Sequence, residues 1–438
     1  MGGDIVLWML GLLVILIFLG THIAIALALC SAIGVWLMFG SFDIAVSILS
    51  NTAYEAIRKD VFVVIPLFVL MGDFVSRSGA AGDLYRICDR TLRRLPGRLA
   101  IATIAGNTVF AAVTGVSIAA AAAFSRIAYP EMKRAGYKQT FALGAVAGSS
   151  CLGMLIPPSV LLIVWAILTE MSVGALFIAG ILPGLLLAGL FAAFVIIAVL
   201  RKPSIAPGFD NNTGHDDEHM RRSELIGGLG IVFLILLVIG GIWSGFFTPT
   251  GAAGFGTLGG LAIAVAKGLD RKAILEAIIQ AGRTTAPIMF LLISAQMYSR
   301  LLALGGAVNT IQGLFLGAGL EPWMMILLIT LIWIVLGMLI DSISIILLTV
   351  PIFVPLGLSV GVDPLAFAIF GILVIEAGLL TPPFGLLVYT VKAAVPDQTA
   401  SLTKIFAGST PYFLLILLAA FIVLFQPWLA NWLPSVML

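Results

Sequence analysis

Charge is scarce in this chain of 438 residues: Asp, Glu, Lys and Arg make up 10% of it, against 61% hydrophobic residues and a mean hydropathy of +1.17. That balance excludes a soluble fold, which could not hide so much apolar surface, and makes the bilayer the solvent. The net charge is +2. Its basic residues sit in short clusters between apolar runs rather than in one stripe, which argues against a nucleic-acid partner. Cysteine is nearly absent. Cys30, Cys88 and Cys151 share neither metal-like nor disulfide-like spacing, and Cys30 and Cys151 fall in apolar runs as small packing residues. Of the three histidines, His22 reads as a hydrogen-bonded interfacial residue between the first two apolar runs. His215 and His219 flank three acids in a polar stretch that reads as a solvated linker rather than a metal site. No Ser-His-Asp set, Cys-His pair or phosphate loop occurs, so an enzyme reading has no residues to stand on. The first run has neither the basic flank nor the cleavage site of a signal peptide and reads as a retained first helix.

What the chain does have is a repeated interruption. GMLIPPSV, from Gly153, and GLLTPPFG, from Gly378, each break an apolar run with a glycine four residues before a double proline. Each break is followed by Ala-Gly-x-x-Pro opening a last long helix, from Ala179 and from Ala407. A weaker echo joins IPLFVLMGDFVSRSGAAG, from Ile65, to APIMFLLISAQMYSRLLALGGA, from Ala286. The polar stretch at 201–224 separates the two copies as a linker, giving a first repeat over 1–200 and a second over 225–438.

Basic residues predict orientation, because Lys and Arg beside short loops mark the cytoplasmic side. Arg86, Arg90, Arg93, Arg94 and Arg98 precede the apolar segment at about 99–129, and Lys133, Arg134 and Lys138 follow it. Both its ends are then cytoplasmic, and the segment is too long for one span of about 20 residues. A re-entrant hairpin turning at Thr114-Gly115-Val116-Ser117 satisfies both facts. The segment at about 323–360 is also too long, lacks basic flanks and carries Asp341 near its middle, so it reads as a second hairpin opening outward. With a cytoplasmic linker, both termini fall outside and the halves have opposite topology. The predicted fold is an all-α polytopic membrane protein: an inverted repeat with two re-entrant hairpins and two broken helices, as in secondary transporters. The stretch DLYRICDRTLRRLPGR, 83–98, reads as an amphipathic basic helix on the cytoplasmic surface.

A double proline removes two backbone donors and frees carbonyls that lipid cannot satisfy but a cation can. The site candidates follow from these breaks and tips. They are Thr114, Gly115 and Ser117 at the first tip; Ser149, Ser150, Pro157 and Pro158 at the first break; Asp341, Ser342 and Ser344 at the second tip; and Glu376, Gly378, Thr381, Pro382 and Pro383 at the second break. Hydroxyls and carbonyls are hard donors, suited to an alkali cation. Ser117, Ser149, Ser150, Asp341, Ser342 and Thr381 are the expected cation ligands, together with carbonyls near Gly153 and Gly378. Two roles are open to Asp341, and both can hold at once: a cation ligand, and a cap for the helix that follows. Glu376 is open in the same way, as a site residue or as a buried carboxylate paired elsewhere. Arg126 either attracts an anionic substrate or snorkels to the interface beside Lys133.

These segments resemble a known family, the large membrane subunit of tripartite ATP-independent periplasmic (TRAP) transporters. The resemblance is carried by residues 114–137, 148–184, 339–364 and 376–397, most specifically by Pro-Glu-Met after the first hairpin and by the block from Ile-Pro-Pro-Ser to Ala-Gly-x-x-Pro-Gly. The first tip matches the family's serine-rich pattern at Thr114 and Ser117 and departs at Val116. The second matches at Asp341 and Ser342 and departs at Ile343, and Val374 stands where many members carry asparagine. The resemblance implies sodium-coupled import of a small organic acid anion across a bacterial inner membrane, by an elevator-like motion. It also implies two partners, a small four-helix membrane subunit and a periplasmic solute-binding protein, with sodium as coupling ion and no other cofactor. A binding-protein-independent di- or tricarboxylate carrier, an anion channel and a membrane scaffold are the alternative readings.

Overall fold

The computed structural model describes residues 2–207, 222–317 and 321–437, so the acidic run at His215–His219 lies outside the described residues. Those residues form helices and turns, with no strand among them. The first half contains α1 (Gly2–Phe18), α2 (Ile23–Phe39), α3 (Phe42–Arg58), α4 (Val64–Arg77), α5 (Ala80–Thr91), α6 (Arg98–Thr114), α7 (Ser117–Arg134), α8 (Gln139–Ser150), α9 (Val160–Thr169) and α10 (Val173–Arg201). The second contains α11 (Arg222–Ile235), which runs through a π turn into α12 (Gly241–Trp243), then α13 (Pro249–Ala266), α14 (Arg271–Leu304), α15 (Ala307–Gly317), α16 (Pro322–Gly337), α17 (Ser342–Ser359), α18 (Pro364–Gly378), α19 (Leu386–Ala394), α20 (Leu402–Phe425) and α21 (Trp428–Met437). Six of the described helices are long and apolar enough to cross a membrane.

Both expected hairpins are present. Helices α6 and α7 meet at Gly115-Val116, and Gly115 has φ +61°, the left-handed conformation that lets the chain reverse in two residues. Helices α16 and α17 meet through residues 338–341, and Trp333 Nε1 donates to Thr349 Oγ1 at 2.8 Å to tie the two arms together. Both breaks are also present: α8 stops at Ser150 and α9 resumes at Val160, while α18 stops at Gly378 and α19 resumes at Leu386. The Pro157-Pro158 and Pro382-Pro383 peptides are both cis. The run from Ala366 to Gly378 in α18 and that from Ala142 to Ser150 in α8 are buried throughout, which explains why neither shows an amphipathic pattern.

The helices pack in two regions that meet where α6 lies against α4 and α5 and where α17 lies against α14. One comprises α1–α5 and α11–α15, where α4 lies on α13 and α14, and α2 on α14. The other comprises α6–α10 and α16–α21, built around α8 against α20 and α18 against α16 and α20. Within the second group the halves exchange supports. Arm α7 of the first hairpin packs on half-helix α19 of the second half, and arm α17 of the second hairpin packs on half-helix α9 of the first. Trp165 of α9 meets Trp333 of α16 and Phe367 of α18, which fixes that exchange in a buried aromatic cluster.

The expected surface helix at 83–98 is shorter, ending at Thr91, and Arg93 and Arg94 lie in the turn before α6. Asp60–Arg77 and α5 meet at 68°, so α5 leaves the direction of the preceding helix. Its polar face is not simply solvated. Asp83 pairs with Arg86 at 2.5 Å and with Lys267, and Glu224 pairs with Arg86 at 2.8 Å and Arg90 at 3.3 Å. These pairs pin α5 to the start of α11 and the end of α13.

Candidate ion and substrate site

The two hairpin tips converge on one side chain, Glu376 of α18. Ser117 Oγ, at the first residue of α7, donates to Glu376 Oε2 at 2.7 Å. Ser342 Oγ, at the first residue of α17, donates to Glu376 Oε1 at 2.7 Å. The carboxylate is 1% exposed, and no Lys or Arg pairs with it among the described residues. Glu376 thus has two neutral donors and no fixed counter-charge among the described residues. Such a group in an apolar interior needs a cation or a proton to offset its desolvation.

Local sequence explains how this meeting is held. The Gly115 carbonyl accepts from Val160 N at 3.2 Å, docking the first tip onto the start of α9. A Cβ on Gly115 would lie 2.5 Å from the Pro158 carbonyl oxygen, so only glycine permits that contact. Gly337 and Gly378 likewise touch backbone to backbone, where a Cβ on either would stand 2.7 to 2.8 Å from the other's Cα. This brings the end of α16 against the end of α18, directly beside Glu376.

The remaining candidates are sorted by their partners. Asp341 takes the capping role: Oδ1 accepts from Ser344 N at 3.0 Å, and Oδ2 from Ser344 Oγ at 2.5 Å. Ser149 Oγ accepts from Asn107 Nδ2 at 2.6 Å and donates to the Ala145 carbonyl at 2.6 Å. Ser150, Thr381 and Thr114 return their hydroxyls to carbonyls of Ala147, Gly378 and Phe110. The Gly378 carbonyl is not free as expected, because it also accepts from Thr381 N at 3.0 Å. The six expected ligands differ in their hydrogen-bond partners. Ser117 and Ser342 come together, Ser149 faces Asn107, and Asp341, Ser150 and Thr381 serve their own turns. Arg126 is exposed on α7.

Two groups were missed in the sequence. Asn107 is fully buried in α6, and its Oδ1 has no hydrogen-bond partner. The Asn-Thr pair inside an apolar run was the available signal. The other is Asp397, whose Oδ2 accepts from Tyr129 at 2.5 Å, Lys133 at 2.7 Å and Gln139 at 3.2 Å. Its Oδ1 accepts from Thr399 N at 3.0 Å and Thr399 Oγ1 at 2.8 Å. This knot binds the far end of α7 to the loop between α19 and α20.

A further opening lies on the boundary of the two helix groups. It is a cleft of about 420 Å³ bounded by the turn between α1 and α2, by α14 around Pro287 and by the second tip. His22 and Asp341 both line it. His22 is exposed and caps no backbone group with its side chain, contrary to the bonded role expected of it.

Paired hairpins and paired broken helices around a buried polar centre define a polytopic secondary-transporter fold. The wider fold is shared with the crystal structure of the Alcanivorax borkumensis YdaH transporter, at a TM-score of 0.61 and 14% identity, covering 89% of each chain. The family model of the tripartite ATP-independent periplasmic transporter, DctM component, matches residues 10–429. The chain belongs to that family. It is 32% identical over 384 residues to the C4-dicarboxylate TRAP transporter large permease protein DctM of Pseudomonas aeruginosa, covering 87% of this chain and 88% of the relative. It is 30% identical over 417 residues to the ectoine TRAP transporter large permease protein TeaC of Halomonas elongata, covering 94% of each. It is accordingly a multi-pass transport protein of the bacterial inner membrane and not an enzyme.

Proposed function

We propose that this chain is the large subunit of a sodium-coupled importer of small organic acids, working with a small membrane subunit and a periplasmic solute-binding protein. The observation that carries the coupling is Glu376, a buried carboxylate joined to both hairpin tips by neutral hydroxyls. A bound sodium ion would supply the positive charge this carboxylate requires. The donor set fits: carboxylate, serine hydroxyl and the unpartnered Asn107 Oδ1 are hard oxygens. Glu376, Ser117 and Ser342 would hold the ion at the tips, and Asn107 with Ser149 would offer oxygens at the first break. Asp341, assigned to its cap, is left out of this set.

The chain's own residues then perform three tasks. Glu376 makes the positions of the two tips interdependent, since each serine is held by an oxygen of the same carboxylate. Gly115 and the Gly337–Gly378 contact keep the tips seated on the broken helices. The aromatic cluster around Trp165 and Trp333 makes the second helix group one body, which is suited to move as an elevator against α1–α5 and α11–α15. In this reading the termini are periplasmic, the first hairpin opens to the cytoplasm and the second to the periplasm.

The test is the thermal stability of the purified chain in sodium against potassium at equal ionic strength. Sodium at about 100 times its dissociation constant should add roughly 2.7 kcal/mol. Equal stability in the two salts would overturn the coupling. Uptake by reconstituted vesicles that persists without a binding protein would instead favour a binding-protein-independent carrier.

A further inference from the structure

A charged surface lies at the other end of the first hairpin from its tip, where the turn between α5 and α6 rests on the end of α10. Gly97 closes that turn at φ +74°, and a Cβ there would stand 2.9 Å from Val195 and 3.0 Å from Val199, so the turn lies directly on α10. The turn before α8 is fastened to the same place. Tyr137 accepts from Leu99 N at 3.3 Å with its hydroxyl, and Lys138 N donates to the Ile205 carbonyl at 2.8 Å. The three elements bring together five exposed cations: Arg93 and Arg94, Lys138, and Arg201 and Lys202.

None of these five side chains has a carboxylate partner among the described residues. The acids nearest in sequence are already taken: Asp89 pairs with Arg98 at 3.4 Å, Glu131 with Arg134 at 2.7 Å, and Glu224 with Arg86 and Arg90. The edge of the patch is apolar. Ile197 and Leu200, near the end of α10, are 50% and 67% exposed, and Leu95 is exposed beside the arginines of the turn. Helix α10 is long and apolar enough to cross the membrane, with only 28% of its apolar stretch buried, so these side chains meet acyl chains. A fitting partner must therefore join an anion to a hydrocarbon body. Arginine offers two parallel N–H donors to a phosphate, and cations beside exposed apolar side chains suit a headgroup with its chains below. A nucleic acid or an acidic protein would answer the charge and leave the apolar edge unused.

We propose that this patch binds an anionic phospholipid, its phosphate held by the arginines of the α5–α6 turn and of the end of α10, its acyl chains lying along Ile197 and Leu200. A bound headgroup would fasten the base of the first hairpin to α10. The assignment needs only a chain embedded in a bilayer and stands apart from sodium coupling.

The test titrates the purified full-length chain, in neutral detergent, with phosphatidylglycerol or with phosphatidylcholine of the same acyl chains, and follows thermal stability. Phosphatidylglycerol should raise the melting temperature saturably, and phosphatidylcholine should not. Glycerol phosphate, a headgroup without chains, should have no effect at equal concentration. Arg93→Gln/Arg94→Gln and Arg201→Gln/Lys202→Gln should each raise the half-saturating concentration at least about fivefold, and Arg93→Lys/Arg94→Lys should keep part of the response. These side chains are exposed and unpartnered, so an unchanged melting temperature in phosphatidylcholine will show that the variants fold. Arg271→Gln/Lys272→Gln, at another exposed basic pair where α14 begins, should leave the response intact. An equal loss there would reduce the effect to general attraction of charge and overturn the site. So would an equal response to phosphatidylcholine, a full response to glycerol phosphate, or full responses in both glutamine variants of the patch. A wild type indifferent to phosphatidylglycerol would also overturn it, and is the result expected if the linker acids Asp210, Asp216, Asp217 and Glu218 cover the patch.

Discussion

Ser117 and Glu376 lie 259 positions apart in the chain and 2.7 Å apart in space, hydroxyl to carboxylate. Ser342 makes the equivalent contact from the other hairpin, so removing this one acid should act on both tips at once.

Glu376→Gln keeps the size of the side chain and can still hydrogen-bond to both serines, but it carries no charge. The variant should fold, and its apparent sodium affinity should fall at least about tenfold, or 1.4 kcal/mol. A sodium titration followed by thermal stability measures this. Glu376→Ala leaves both hydroxyls without their acceptor and should cost about 1–3 kcal/mol per unsatisfied group, seen even in potassium.

Gly115→Ala tests the seat of the first tip. The substitution places a methyl group 2.5 Å from the Pro158 carbonyl and asks alanine to hold φ +61°. The left-handed backbone alone should cost about 1–2 kcal/mol, and relief of the clash must lift the tip from the break. The expected result is a lower melting temperature together with lost uptake. Unchanged values for both would mean that the tip does not sit there.

Asp341 should separate capping from charge. Asparagine caps a helix about as well as aspartate, so Asp341→Asn should leave stability nearly unchanged in the absence of ligand. Asp341→Ala removes the acceptor for the Ser344 amide and should cost about 0.5–2 kcal/mol. Equal losses in the two variants, compared by denaturation in one buffer, would show that the charge and not the cap is what the fold requires.

Asp397 gives a pH dependence with a defined sign. Lys133 first, then Tyr129 and Thr399, hold its carboxyl well below the ordinary carboxylate range. A depressed folded value means that the contact stabilises in full above the unfolded value, about 3.9 for a free aspartate, and is lost as pH falls toward the folded one. Wild type should therefore exceed Asp397→Asn in melting temperature by a constant margin near neutrality, and the margin should shrink on acidification below about pH 4. A margin that widens in acid would contradict the assignment.

Architecture was the more legible part of this molecule. Double prolines, basic clusters and over-long apolar segments are local and steric signals, and they located both hairpins and both breaks within a few residues. The site was legible by residue type but not by pairing. Asp341 was prominent as a lone acid near a helix centre, yet its oxygens answer the next turn, a choice set by the backbone at the tip. Glu376 carried the same ambiguity because its partners lie in two hairpins, 34 and 259 positions away, and no spacing rule connects them. Asn107 was passed over for a related reason: one amide in an apolar run looks like packing until the facing helix supplies Ser149.

The crossed support of the hairpins also bears on how the chain is made. Arm α7 is complete at Arg134, but its cover, α19, begins only at Leu386. At ordinary synthesis rates of about 5–20 residues per second, the ribosome needs roughly 10 to 50 s to deliver it. During that interval the newborn first hairpin has no protein neighbour for one of its sides. Lipid, the insertion machinery or an early-arriving subunit must shelter it, and the first hairpin completes its docking only after α19 has been made.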